Sequence, residues 1–166
     1  MSSDKPKTKA GAASALKLDD YLPYRMSVAT NAVSELIARA YQARFGLSIP
    51  QWRLIAVLGE DGPLTQQALS ARTVMDKVTV SRAAAALTER GLISRTPHEA
   101  DGRSHRVALT GEGASLYAEV APLALAYEAQ LLEAFSPFEL QTAHHLLRRL
   151  EAAAMALTGK GGGRAD

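Results

Sequence analysis

The chain has 166 residues, a formal net charge of +2 and no cysteine. That length makes one domain with extensions and buries a core without covalent staples, and the lack of cysteine excludes disulfides, thiolate metal sites and thiol redox chemistry. No apolar run approaches the ~20 residues of a membrane span, and the lysine-bearing start of the chain lacks an apolar signal core, so a cytoplasmic protein with no membrane partner is expected.

Residues 1–17, MSSDKPKTKAGAASALK, carry four lysines and one aspartate and no periodic apolar positions, the composition of a disordered arm. From Tyr21 to Arg44, apolar residues recur at Leu22, Met26, Ala29, Val33, Leu36, Ile37, Ala40 and Tyr41. This spacing predicts one amphipathic helix, closed by Gly46. Ser48-Ile49-Pro50-Gln51 reads as a capping box that starts a short helix ending near Gly59. Gly62-Pro63 breaks the chain, and Thr65 is placed to cap a third helix, Gln66 to Ala71.

Asp76 suits the N-terminus of the next helix, because its carboxylate accepts from free N–H groups and complements the helix dipole. Val80, Ala83, Ala84 and Leu87 form that helix's apolar stripe, and Gly91 stands where a left-handed residue ends it. Helix, short turn and helix at this spacing is a helix-turn-helix pattern. Ile93 to Pro97 and Arg103 to Thr110 read as two strands, with Asp101-Gly102 in the turn between them. Thr110 then caps a helix running to about Ala134, which contains Pro122 and should bend there. Ser136-Pro137-Phe138-Glu139 is a second capping box, with Phe135 and Leu140 spaced as a hydrophobic staple. The last helix runs to about Leu157, and residues 158–166, TGKGGGRAD, read as a disordered tail.

The predicted fold class is mainly α with a small β-hairpin wing, six helices and one hairpin in all. A winged helix-turn-helix domain over residues 47–110 is flanked by helical dimerisation regions at 18–46 and 111–157. Leu116, Val120, Leu123, Leu131, Leu132, Leu140, Leu146, Leu147 and Leu150 offer more apolar surface than one small interior covers. A homodimer is therefore expected, and its two-fold axis suits a palindromic pair of half-sites.

Charge is unevenly placed. Residues 65–106 hold seven Lys/Arg against four Asp/Glu, whereas residues 107–157 hold two against six. The basic segment coincides with the helix-turn-helix and the hairpin, which points to double-stranded DNA. Lys77, Thr79, Ser81 and Arg82 begin the candidate recognition helix, where N-terminal side chains reach base edges in the major groove. Thr65 and Gln67 suit phosphate contacts at the start of the preceding helix. Arg103 near the wing tip is chemically suited to a minor groove, with Asp101 to orient it and Ser104, His105 and Arg106 beside it. Polar residues in a first helical turn are often merely solvated; it is as a set that these point to DNA.

The runs TVSRAAAALTERGLISR and DGRSHRVALTGEG resemble the MarR family of multiple-antibiotic-resistance-type regulators. That family's wing carries D-x-R followed by an apolar strand and L-T-x-x-G, matched here by Asp101, Arg103, Val107, Leu109, Thr110 and Gly113. The stretch IPQWRLIAVL is also similar, and the resemblance spans roughly Leu18 to Leu157. It implies a homodimeric winged helix-turn-helix repressor, or less often an activator, whose DNA affinity responds to a small organic effector. Ala85 and Ala86 depart from the family, where polar or basic residues are common, so no contacts are expected from the second half of the recognition helix. The resemblance also implies an effector pocket between the dimerisation helices and the DNA-binding lobe. Tyr24, Arg25, Trp52 and Arg53 are its candidates, the aromatics to wall a planar ligand and an arginine to pair with a carboxylate. The competing role for Trp52 is core or dimer packing.

No phosphate loop, zinc-protease pattern or nucleophile elbow is present, so no enzyme and no cofactor are expected. His144 and His145 are adjacent and point about 100° apart on a helix. With His98 and His105 they are taken as structural or solvated, and no metal site is expected. The alternatives are a winged-helix protein-interaction module that does not read DNA, and a metal-responsive regulator.

Overall fold

The computed structural model describes residues 16–98 and 101–161, without the side chains of residues 98, 101–104, 160 and 161. The chain divides into two units, Met1–Glu35 and Leu36–Asp166. In the first, a 3-10 turn at Leu18–Asp20 leads into α1 (Leu22–Ala38). Leu18, Tyr21, Leu22, Tyr24, Val28 and Val33 are all exposed.

In the second unit α1 ends earlier than its apolar period suggests. The N–H groups of Arg39, Ala40 and Tyr41 donate to the carbonyls of Leu36, Ile37 and Ala38, three residues back rather than four. Ala38, Ala40 and Tyr41 are all buried, a spacing that one continuous 3.6-residue period cannot put on a single face. The expected single helix from Tyr21 to Arg44 is thus corrected to α1, a tight turn and a short α2 (Gln42–Phe45), closed by left-handed Gly46.

The elements that follow are α3 (Ile49–Asp61), β1 (Leu64–Thr65), α4 (Gln66–Thr73), α5 (Lys77–Glu89), β2 (Ile93–His98), β3 (Asp101–Leu109), α6 (Gly111–Leu132) and α7 (Pro137–Gly161). The predicted class, mainly helical with a small antiparallel sheet, is the class observed.

The sheet has three strands in the order β1-β3-β2. Leu64 pairs with Val107 and Thr65 with Arg106, adding a strand that the sequence reading did not include. A two-residue strand is too short to show alternation. The wing also extends further than expected. His98 pairs with Asp101 across an irregularity at Pro97/His98, so Asp101 and Gly102 belong to β3 rather than to the turn.

Leu54, Ile55 and Leu58 of α3, Leu69 of α4, Val80, Ala84 and Leu87 of α5, Ile93, Val107 and Val120 form the core. Burying each large aliphatic side chain is worth roughly 1.5–3 kcal/mol, so the reading unit is held by the same interior that orients α5. In α7 every residue from Ala143 to Gly159 is exposed. Its helix runs four residues past the expected end at Leu157, and the Thr158 hydroxyl donates to the Ala154 carbonyl in the added turn.

Candidate nucleic-acid interface

The start of α5 is set by Asp76. One carboxylate oxygen accepts the Thr79 N–H at 2.9 Å and the other accepts the Thr79 hydroxyl at 2.6 Å. The Thr79 hydroxyl, followed by the Thr79 N–H, holds the Asp76 carboxyl below its ordinary value. In the preceding helix, Thr65 Oγ1 accepts the Ala68 N–H at 3.1 Å. The end of α5 is a Schellman turn: Leu92 N–H donates to the Leu87 carbonyl, Gly91 N–H to that of Thr88, and Gly91 has φ +69°.

Between α4 and α5, Val74 has φ +53°. A β-branched residue in the left-handed region is an outlier. Its side chain is 87% exposed, and Val78 in the first turn of α5 is 59% exposed.

The cations of the basic segment separate into two groups. Arg72 pairs with Asp61 at 2.8 Å and Glu60 at 3.3 Å, Arg90 donates to the Phe45 and Gly46 carbonyls, and Arg106 donates to the Pro63 carbonyl. These three arginines join parts of the fold to one another. Lys77 and Arg82 are exposed and make no salt bridge among the described residues, and Arg95 is exposed on β2.

Of the residues expected to meet DNA, Lys77, Ser81 and Arg82 are exposed on the first turns of α5, and Gln67 is exposed on α4. Thr65 and Thr79 are half-buried and act as cap and cap partner. His105 is exposed and pairs with Pro97. Asp101, Arg103 and Ser104 lie on β3, and their side chains fall outside what the structure describes. Val74 and Val78 were not among the expected residues. For Val78 the signal was present in the helical period, since it falls opposite the apolar stripe of α5.

Trp52 is half-buried in a three-ring stack, 5.5 Å from the Tyr41 ring and 6.1 Å from that of Tyr117. Burial raises the Tyr41 hydroxyl above its ordinary value, and the positive charge of Arg53 opposes that rise. Tyr24 and Arg25 are exposed on the part of α1 in the first unit. A cleft of about 510 Å³ lies among Phe45, Leu92, Glu112, Ser115, Leu116 and Glu119. A second, of about 400 Å³, lies among Asp61, Leu64, Ala68, Ala71 and Arg72. None of the four effector candidates lines either cleft. Among the described residues no three His, Asp or Glu side chains gather as a metal site, and no helix is long and apolar enough to cross a membrane.

Two helices joined by a short turn, the second capped and exposed along one face, with a three-stranded antiparallel wing, define a winged helix-turn-helix protein. A family model described as "MarR family" matches residues 45–104. The uncharacterized HTH-type transcriptional regulator YwoH of Bacillus subtilis is 31% identical over 121 residues, which cover 71% of this chain and 88% of YwoH. A probable transcriptional regulator from Pseudomonas aeruginosa matches in structure with a TM-score of 0.71 at 33% identity, over 81% of this chain and 99% of that one. Sco3205, a MarR family regulator from Streptomyces coelicolor solved in complex with DNA, matches with a TM-score of 0.75 over 86% of this chain and 92% of that one. At 20% identity, that last likeness is one of fold. The chain belongs to the MarR family, a family of DNA-binding transcriptional regulators and not of enzymes.

Proposed function

We propose that the protein is a cytoplasmic homodimeric repressor of a pseudo-palindromic operator, modulated by a small aromatic or carboxylate effector. Each α5 enters one major groove, with the two recognition helices about one DNA turn, ~34 Å, apart. Lys77, Ser81 and Arg82 face the DNA from α5, Thr65 and Gln67 hold phosphates, and Asp101, Arg103, Ser104 and His105 place the wing against the neighbouring minor groove. The observation that carries this reading is the capped first turn of α5, with Lys77, Ser81 and Arg82 exposed together.

Dimerisation is supported by α7, where Phe138, Leu146, Leu147, Leu150, Met155 and Leu157 are exposed, Phe138 at 75% and Leu157 at 73%. Apolar rows of this length call for a covering surface, and a second copy supplies one with the symmetry of a palindrome. Of the four effector candidates, Trp52 and Arg53 of the second unit carry the proposal, and Tyr24 and Arg25 belong to the first. In its favour, the Tyr41–Trp52–Tyr117 stack supplies an aromatic wall with the Arg53 charge beside Tyr41. An effector acts by binding one of two dimer arrangements more tightly and shifting the population towards it.

A gel-shift titration on the DNA upstream of the protein's own gene tests the proposal. One dimer per site and preference over an unrelated duplex of equal length are expected. Equal binding to both duplexes contradicts sequence-specific reading, and binding to neither favours a winged helix that contacts protein instead.

A further inference from the structure

On a helix with about 100° per residue, Val78 stands roughly 170° from the middle of the stripe formed by Val80, Ala83, Ala84 and Leu87. It is therefore the first-turn residue aimed most directly away from the core, and it is exposed. Lys77 and Thr79 fall at roughly 70° and 90° from that stripe, on the flanks of the helix. Arg82, four residues on, and Ala85, seven on, share the outward face with Val78, and both are exposed. The centre of this face thus reads methyl, guanidinium, methyl. Isolated exposed valines are ordinary. This one occupies the middle of the face that the helix-turn-helix presents outward, with Lys77 on one flank and Arg82 one turn on.

In the major groove, thymine alone presents a methyl group, and small apolar side chains meet it by contact. Valine suits this role because its two methyl groups sit on a short stem with one strongly preferred rotamer in a helix, so little side-chain freedom is lost on docking. We infer that Val78 reads the 5-methyl group of a thymine in the operator half-site, with Arg82 contacting a neighbouring phosphate. The inference rests on the DNA-reading function proposed above and adds to it the chemical class of base that α5 selects.

The test begins with a random-sequence duplex pool enriched on the full-length protein. Each thymine of the enriched half-site is then replaced in turn by deoxyuridine, which lacks the methyl and keeps the pairing. At one position the replacement should weaken binding by about fourfold, the value of one buried methyl-sized group. Val78→Ala should weaken binding to the thymine duplex by a similar factor and respond no further to deoxyuridine there. Val78→Thr, which keeps one methyl, should retain most of the sensitivity. The site is exposed in a first helical turn and alanine favours helix, so these variants keep the fold. An enriched half-site without thymine, indifference of the native protein to every deoxyuridine, or equal sensitivity of Val78→Ala and the native protein would each overturn the inference and leave DNA binding standing. A pool that yields no enriched sequence would overturn the DNA-reading function itself.

Discussion

A side-chain carbon on Gly113 would collide with the carbonyl oxygen of Leu92. That same carbonyl accepts the Thr110 N–H at 3.1 Å, while the Thr110 hydroxyl donates to the Gly91 carbonyl at 2.6 Å and accepts the Gly113 N–H at 3.1 Å. The first turn of α6 is therefore fastened onto the Schellman turn that ends α5. The recognition helix and the long helix after the wing meet backbone to backbone, with no room for a side chain between them.

Gly113→Ala should lower stability by about 3 kcal/mol, the upper range of ordinary overpacking, because the opposing atom is backbone and cannot rotate away. Urea denaturation should show a lower midpoint with an unchanged slope. A midpoint equal to that of the native protein would mean the two turns are not in contact.

Thr110→Val keeps the shape and removes both hydroxyl bonds. A loss of about 1–2 kcal/mol is expected from the missing cap, with Thr110→Ser close to the native protein. Thermal denaturation of the pair separates the hydroxyl's contribution from that of the methyl.

Val74 offers a gain. Left-handed backbone costs a non-glycine residue roughly 1–2 kcal/mol, and the Val74 side chain is almost wholly exposed, so little packing offsets it. Val74→Gly should raise stability by about 1 kcal/mol, part of the relief being cancelled by glycine's greater freedom when unfolded. A lower Tm in this variant would show that the turn needs the valine.

Asp76 gives a pH dependence with a definite sign. Its carboxyl is held below the ordinary value by the Thr79 hydroxyl and N–H, so its contribution to stability is complete above the unfolded-state value. That contribution is lost as pH falls through the lower folded-state value. Asp76→Ala should narrow the stability gap between neutral and acid solution. Parallel curves for the variant and the native protein would remove the cap from the account.

How much of this was legible in the sequence depended on how local each signal is. The caps at Ser48, Thr65, Asp76, Thr110 and Ser136 were legible because each bond joins residues three apart. Gly91 was legible as a helix stop for the same reason. Strand β1 was not, because its pairing partner lies some forty residues away on β3. The internal roles of Arg72, Arg90 and Arg106 were hidden similarly, since each reaches a partner from eleven to forty-five residues distant. The charge of the basic segment therefore overstated what it offers to DNA. The break after Ala38 was masked by apolar residues that continue in helical register into Tyr41, although the backbone tightens to bury them. Val78 was visible in the period as an apolar residue opposite the buried stripe.

The proposed binding of DNA as a dimer, through the exposed cations of α5 and through Arg103 of β3, is tested most directly by its salt dependence. If Lys77, Arg82 and Arg103 of both protomers each neutralise a phosphate, log affinity should fall with log salt at a slope of about −5. Arg82→Ala, removing one contact per protomer, should reduce that slope by about 2 while leaving the dimer intact. Affinity that does not fall as salt rises, or a slope unchanged by Arg82→Ala, would contradict the account.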